Sequence, residues 1–173
     1  MNKRKLGFWI AGGIVLLIGG LLLGGLGMLG RLPWQGGDLY KDPQGRFSMK
    51  VGPWEGVETD RPYTQFKLAD PSMNLYVLVL EAKPINDVFS QALEIVGFDP
   101  GILTGDLVTI GDWQASSIED SAGLNYGLAG QTVGENTYVV IVKADKPGVA
   151  IENPAVMGAL ASLKISAHEE IVM

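Results

Sequence analysis

The sequence predicts an α+β domain with a mostly antiparallel sheet covered by helices, carried behind a single N-terminal transmembrane helix. Three observations support this prediction: a long uncharged apolar run near the N-terminus, a later order of strands, helix, strands and helix, and about 130 residues after the run, enough for one hydrophobic core. The predicted segments are a basic cytoplasmic segment (1–5), the transmembrane helix (6–30), a linker (31–37), an extracytoplasmic domain (38–166) and a tail (167–173).

The apolar run lies between Lys5 and Arg31, where no charged residue occurs. At about 1.5 Å per helical residue it is long enough to cross a hydrocarbon core of roughly 30 Å. Basic residues cluster before it at Lys3, Arg4 and Lys5, which predicts a cytoplasmic N-terminus and an extracytoplasmic C-terminal domain. A cleaved signal peptide is the alternative, but its apolar core would span only about 7 to 15 residues and end at an A-x-A-like site. A retained anchor is therefore the favoured interpretation.

Small residues recur along this predicted helix. Gly13, Gly20 and Gly27 repeat at a constant interval, and Gly20 and Gly24 form a G-x-x-x-G motif, so the four glycines lie close to one helical face. This pattern predicts a helix-pairing face, although glycine is also frequent in membrane helices that do not pair. Trp34 follows in the linker and is predicted to anchor the chain at the headgroup level.

The first strands of the domain follow turn signals. The turn "DPQG" leads into a strand in which Phe47, Met49 and Val51 alternate with polar residues, which indicates a half-buried strand. Residues 63–68 alternate in the same way and predict a second strand. After the turn "ADPS", the near-continuous apolar run "MNLYVLVLEA" predicts a central strand buried on both faces.

Two helices interrupt the strands. "INDVFSQALEIVGF" has helical apolar spacing, with Asn86 or Asp87 as the expected N-cap and Gly97 as the stop. "NPAVMGALASL" has Asn153 as the expected N-cap and Pro154 at the first helical position. Between them, strands are predicted at "DLVTIG", "WQASSIE", "LNYGLAGQT" and "TYVVIVKA", the last two joined as a hairpin by "VGEN". The short stretch "LKIS" closes the domain.

The two ends of the domain carry a resemblance to a known family. "LYKDPQGRFSMKVGPW", with Tyr40, Asp42, Gly45, Phe47 and Trp54, resembles the opening of PsbP-like domains, in which a Tyr and an Asp precede a Gly-x-Phe strand that ends near a Pro and a Trp. "ALASLKIS" is similar to the family's terminal helix and final strand. The resemblance covers the whole predicted domain and implies an α/β/α sandwich in a bacterial, membrane-anchored member of the family.

The resemblance also implies a kind of function. Members are mainly non-catalytic accessory or partner-binding proteins, including extrinsic subunits of photosystem II. The chain is therefore expected to be a non-catalytic accessory subunit that stabilises a membrane-embedded complex, photosynthetic or respiratory, from its extracytoplasmic side. Tyr40, Asp42 and Trp54 are the expected partner surface. The alternatives are a module that presents a small ligand or cation at the membrane surface, and a small hydrolase that uses carboxylates.

Charge separates the partner classes. The chain has 13 basic and 19 acidic residues, a formal net charge of −6, and its only basic cluster precedes the predicted span. An acidic domain argues against nucleic acid, and against an anionic lipid surface, as the main partner, and favours a basic protein partner or dissolved cations. The simpler alternative is that the negative charge only keeps an exported domain soluble.

The residues needed for most catalytic and metal sites are missing from the sequence. The chain has no cysteine, and its only histidine, His168, lies in the tail, so we expect no Ser-His-Asp catalysis, no thiolate metal site and no cofactor. Asp38 with Asp42, or Glu119 with Asp120, are candidate ligands for a hard cation, although their spacing matches no calcium loop. The sequence therefore predicts that the protein is not an enzyme.

Overall fold

The computed structural model describes residues 39–103, 105–149 and 154–166. The predicted transmembrane helix, its glycine face at Gly13, Gly20, Gly24 and Gly27, and the predicted interfacial Trp34 lie outside these residues. Within the described ranges, no helix is both long and apolar enough to cross a bilayer.

Ten strands and two α-helices make up the described domain. The strands are β1 (Leu39–Lys41), β2 (Phe47–Lys50), β3 (Glu55–Val57), β4 (Thr64–Leu68), β5 (Met73–Glu81), β6 (Val108–Ile110), β7 (Trp113–Glu119), β8 (Asn125–Val133), β9 (Asn136–Ala144) and β10 (Lys164–Ile165). The helices are α1 (Ile85–Val96) and α2 (Pro154–Ser162), with a short 3₁₀ helix at Pro100–Ile102.

The strands form two sheets in which every described pairing is antiparallel. The larger sheet has seven strands in the order β3-β4-β5-β9-β8-β7-β6, and the smaller has three in the order β1-β2-β10. The predicted mostly antiparallel sheet with two helices is thus confirmed. The small sheet is the additional feature, and it brings the two ends of the described domain together on β2.

Both faces of the large sheet are covered, as the apolar run of β5 predicted. On one face, Val77 packs in a core with Phe47 and Met49 of the small sheet and with Val156 of α2. On the other face, alternate residues of β5, such as Leu78, pack in a second core against α1. Because successive side chains of a strand point to opposite faces, a central strand between two cores must be apolar almost throughout.

Helix α1 buries Val88, Phe89 and neighbouring apolar side chains against the sheet. The predicted cap at Asn86 or Asp87 is wrong: the helix begins at Ile85, and Pro84 is the N-cap with no side-chain hydrogen bond. The predicted stop at Gly97 is confirmed. Gly97 has φ of 92° and donates its N–H to Leu93 O and Glu94 O, a left-handed ending that glycine adopts without strain.

Candidate binding cleft

A cleft of about 790 Å³ opens where the small sheet meets the edge of the large sheet. One wall is the turn that joins β1 to β2, and the other is the segment 58–63 between β3 and β4. The floor includes Thr64, Phe66 and Val79 of β4 and β5. We call this feature the edge cleft.

The turn wall is built around the carboxylate of Asp42. Arg46 donates from Nε to Asp42 Oδ2 and from Nη2 to Asp42 Oδ1, each at 2.8 Å. The backbone N–H groups of Gln44 and Arg46 also donate to Oδ2, each at 3.2 Å. Gly45, with φ of 71°, closes the turn by donating its N–H to Asp42 O at 2.8 Å. The "DPQG" turn is therefore held by a two-point ion pair and not by the backbone alone.

The ion pair shifts the pKa of both of its members. The side-chain hydrogen bonds from Arg46 hold the pKa of Asp42 below its usual value, despite burial, which acts in the opposite direction. The same bonds raise the pKa of Arg46. The side chain of Asp42 is 1% exposed and that of Arg46 is 34% exposed. The carboxylate is thus buried and ionised, while the guanidinium reaches the cleft.

Tyr40 forms the corner between this wall and the floor. Its ring packs edge-on against Phe66, with 5.1 Å between centroids, and its hydroxyl lies 3.4 Å from Thr64 Oγ1. The side chain is half-buried. Tyr40 therefore links the small sheet to the large one and still offers part of its surface to the cleft.

The opposite wall carries exposed charged side chains. Glu58, Asp60 and Arg61 are exposed, and the Arg61 N–H donates to Thr59 Oγ1 at 3.1 Å. Val57, at the end of edge strand β3, is 37% exposed. The cleft thus combines both signs of charge with apolar surface from Val57 and Tyr40.

The three residues of the predicted partner surface do not lie together. Tyr40 and Asp42 both line the edge cleft. Asp42 is buried, so it acts there through Arg46 and the turn. Trp54 is 4% exposed, belongs to the core and donates from Nε1 to Ala155 O at 3.2 Å, which ties the chain after β2 to α2. Trp54 has almost no surface to offer a partner.

Sequence reasoning missed the charged wall of this site. Arg61 and the acidic residues beside it read as an ordinary polar loop, and only the position of the loop opposite the Asp42 turn makes them part of a cleft. The segment "DRPY" gave one usable signal. It contains a proline and runs directly into the predicted second strand, which indicates a defined turn and not a mobile loop.

Of the candidate cation ligands, Asp42 and Asp120 have other roles in the structure, and Asp38 lies outside the described residues. Asp120 accepts from the backbone N–H groups of Ala122, at 2.8 Å, and Leu124, at 3.0 Å, and from the Tyr126 hydroxyl at 3.2 Å. Asp42 is paired with Arg46. Within the described ranges there is no group of three or more His, Cys, Asp or Glu residues that could hold a metal ion.

The sequence matches no protein-family profile and no curated protein. Among solved structures, the chain is similar to a protein from Bacteroides thetaiotaomicron VPI-5482, with a TM-score of 0.52 and 18% identity over 78% of this chain. The alignment spans only 50% of that protein, so the chain corresponds to about half of its length. At this identity the likeness shows a shared fold and nothing about activity.

The chain also aligns with the solution structure of cyanobacterial PsbP (CyanoP) from Synechocystis sp. PCC 6803. The TM-score is 0.42 and the identity 12%, over 80% of this chain and 99% of that one. We draw no conclusion from a likeness at this score. Membership in the PsbP-like family stays a prediction from the end motifs.

Proposed function

We propose that this chain is a non-catalytic, membrane-anchored binding module that holds an extended segment of a partner protein in the edge cleft, on the extracytoplasmic side. The observation that carries the proposal is the position of the cleft between the edges of two sheets. The apolar run before the domain supports the anchor, and the resemblance of the end motifs to PsbP-like domains supports a membrane-embedded complex as the partner.

The edge strands explain why an extended segment fits the cleft. Among the described strands, β3 pairs only with β4 and β1 only with β2, so each has an edge free of a strand partner. A peptide strand can hydrogen-bond to such an edge while its alternate side chains enter neighbouring pockets. Val57 and Tyr40 would contact apolar side chains, and Arg46 and Arg61 would contact acceptors.

The electrostatics of the cleft favour binding over catalysis. A carboxyl group that acts as a general acid needs a raised pKa, usually from burial or a like charge nearby. Asp42 has the opposite shift, because Arg46 stabilises its ionised form. The buried carboxylate of the cleft is therefore a structural anion that presents an arginine.

Site-specific photo-cross-linking of the full-length chain in its native membrane tests this proposal. A photoreactive residue at Val57, beside the cleft, should give a discrete adduct with one partner protein. The matched control carries the same residue at Asn86, which is exposed on α1 over the opposite face of the large sheet. An absence of adducts at Val57, or the same adducts from both positions, would refute the assignment of the cleft.

The size of the cleft favours a small ligand as the second candidate, since ligand sites typically enclose roughly 300 to 1,000 Å³. Native mass spectrometry of the full chain in detergent separates the two candidates. A retained small molecule that is lost on Tyr40→Ala would support a ligand site. An unmodified mass together with the Val57 adduct would support the protein segment.

A further inference from the structure

The small sheet presents a lysine-rich face away from the core. Its register places Tyr40 opposite Met49 and Ile165 opposite Phe47, and these side chains point inward. The residues between them point outward because side chains alternate along a strand. The outward residues are Leu39, Lys41, Ser48, Lys50 and Lys164. We call this set the lysine face.

The register fixes how close the lysines lie. Lys41 and Lys164 are both paired with Ser48, one on each side, so their backbones are about 10 Å apart across the sheet. Lys50 lies two residues further along β2, about 7 Å from Ser48. All three lysines are exposed. Leu39, paired with Lys50, is 53% exposed beside them.

This face is distinct from the rest of an acidic protein. The strands β1, β2 and β10 contain no Asp or Glu, although the whole chain carries a net charge of −6. None of the three lysines forms an ion pair within the described ranges, where the salt bridges join Arg46 to Asp42 and Lys83 to Glu81. The lysine face is therefore positively charged and forms no ion pair with a described acidic side chain.

The lysine face also lies at the point where the domain joins its predicted anchor. The predicted span ends at residue 30 and β1 begins at Leu39. Even fully extended, the intervening chain reaches only about 30 Å, at roughly 3.4 Å per residue. A chain anchored by this span would therefore keep the small sheet within about 30 Å of the end of the span.

We propose that the lysine face docks on the anionic headgroups of the membrane that holds this chain, with Leu39 as an apolar contact at its edge. The inference rests on the membrane anchoring in the proposed function and adds a second, lipid partner. The net negative charge of the whole chain does not prevent this docking. At physiological salt, charges more than about 8 Å apart are largely screened. The attraction between the domain and the membrane is therefore decided by the face nearest the headgroups, while repulsion of the acidic remainder keeps that remainder turned away from the membrane.

Energy transfer in nanodiscs that contain the full-length chain measures this docking directly. Because the chain has no cysteine, Ser48→Cys gives a single labelling site at the centre of the lysine face. A headgroup dye serves as the acceptor. Discs of phosphatidylcholine alone are compared with discs that also contain phosphatidylglycerol. Asn86→Cys on α1 is the control label on the opposite side of the large sheet.

We expect high transfer from the Ser48→Cys label in phosphatidylglycerol discs, low transfer in phosphatidylcholine discs, and loss of the difference at high salt. Each lysine near an anionic surface strengthens docking on the order of fivefold. The triple variant K41E/K50E/K164E should therefore weaken the docking equilibrium at least about a hundredfold. Equal transfer in the two kinds of disc, or no effect of the triple variant, would overturn the inference.

A charge-matched variant removes net charge as an explanation. Lys67, Lys83 and Lys146 are also exposed but lie outside the small sheet, so K67E/K83E/K146E makes the same change in charge and should leave transfer unchanged. If K41E/K50E/K164E instead abolishes a cross-link to an acidic membrane protein while lipid composition has no effect, the lipid assignment is wrong.

Three outcomes separate this inference from the proposed function. Release of the full chain from membranes by alkaline carbonate would overturn both the anchor and the lipid docking. Loss of lipid-dependent transfer with an intact cross-link at Val57 would overturn the docking alone. Loss of the Val57 cross-link with intact transfer would overturn only the assignment of the edge cleft.

Discussion

Replacing Asp42 with alanine should destabilise the domain by about 3 kcal/mol, as expected for loss of a buried charged partner. The change removes the acceptor for two side-chain and two backbone hydrogen bonds in the turn between β1 and β2. It leaves Arg46 without its counter-ion beside a packed core. The turn also positions β2, whose Phe47 and Met49 are buried, so its loss affects more than the surface.

The magnitude follows from these four bonds. All four bonds are accepted by an ionised carboxylate, and hydrogen bonds to charged groups contribute about 1.5 kcal/mol each, which sums to about 6 kcal/mol. The side chain of Arg46 is 34% exposed, so water replaces part of what it loses. This reduces the expected cost to about 3 kcal/mol.

Urea unfolding of the full chain in mild detergent, followed by tryptophan fluorescence, measures this cost. With a slope of about 1.5 kcal/mol per molar urea for a domain of this size, the midpoint should fall by about 2 M. Asp106→Ala is the control, because Asp106 is exposed and has no hydrogen bond or ion pair to another described residue. Its midpoint should shift by less than about 0.3 M.

Acid should remove the contribution of Asp42. Its folded pKa lies below the ordinary value, so the stabilisation is complete above about pH 4 and is lost as pH falls through the lower folded value. The difference in stability between the wild type and Asp42→Asn should therefore shrink as pH falls below about 4. A midpoint for Asp42→Ala within about 0.3 M of the wild type, or a difference independent of pH, would refute the reasoning.

Three other predictions concern the packing of the large sheet and its helices. Gly130→Ala should cost about 1 to 3 kcal/mol, because a Cβ there would lie 2.7 Å from Phe89 Cε1. Ser116→Ala should be neutral or stabilising by up to about 1 kcal/mol, because its buried hydroxyl has no hydrogen-bond partner among the described residues. Tyr126 should ionise only near pH 12, because burial, and to a lesser extent its hydrogen bond to Asp120, raise its pKa to about 12. Its contribution to stability should therefore be lost as pH rises from about 10 to 12.

Matched controls accompany these three predictions. Gly56→Ala, where a Cβ meets nothing within 4 Å, should unfold like the wild type. Ser162→Ala should cost about 1 kcal/mol, since Ser162 Oγ accepts from Lys50 N–H and donates to Ala159 O. Phenolate absorbance should show Tyr126 titrating near pH 10 once the chain is unfolded. A stable Gly130→Ala, a costly Ser116→Ala or a folded Tyr126 that titrates near pH 10 would each contradict its prediction.

The sequence predicted those parts of the fold that carry a local signal. The alternation at Phe47 and Met49, the doubly apolar run of β5, the stop at Gly97 and the hairpin between β8 and β9 are all present. Each depends on side-chain periodicity or on one backbone conformation, and both can be read from neighbouring residues. The cap of α1 was mispredicted because Pro84 already sets an extended conformation just before the helix.

Features that depend on distant pairings were not predictable in the same way. β1 and β3 have three residues each and no apolar period, so only their partners β2 and β4 define them. Trp54 was predicted to lie on the partner surface because no residue nearby in the sequence shows that α2 will cover it. The lysine face combines residues more than a hundred positions apart, and net charge, which sums over the whole chain, concealed it.

The flanking of β2 by β1 and β10 has a consequence for protein engineering. The described domain enters at Leu39 and leaves at Ile165 on the same three-stranded sheet, with roughly 14 Å between these backbones from strand spacing and rise. A short flexible peptide could join them, and Gly134 and Glu135 in the loop between β8 and β9 offer a place for new termini. The domain is therefore suited to circular permutation, and to insertion as a cassette into a surface loop of another protein.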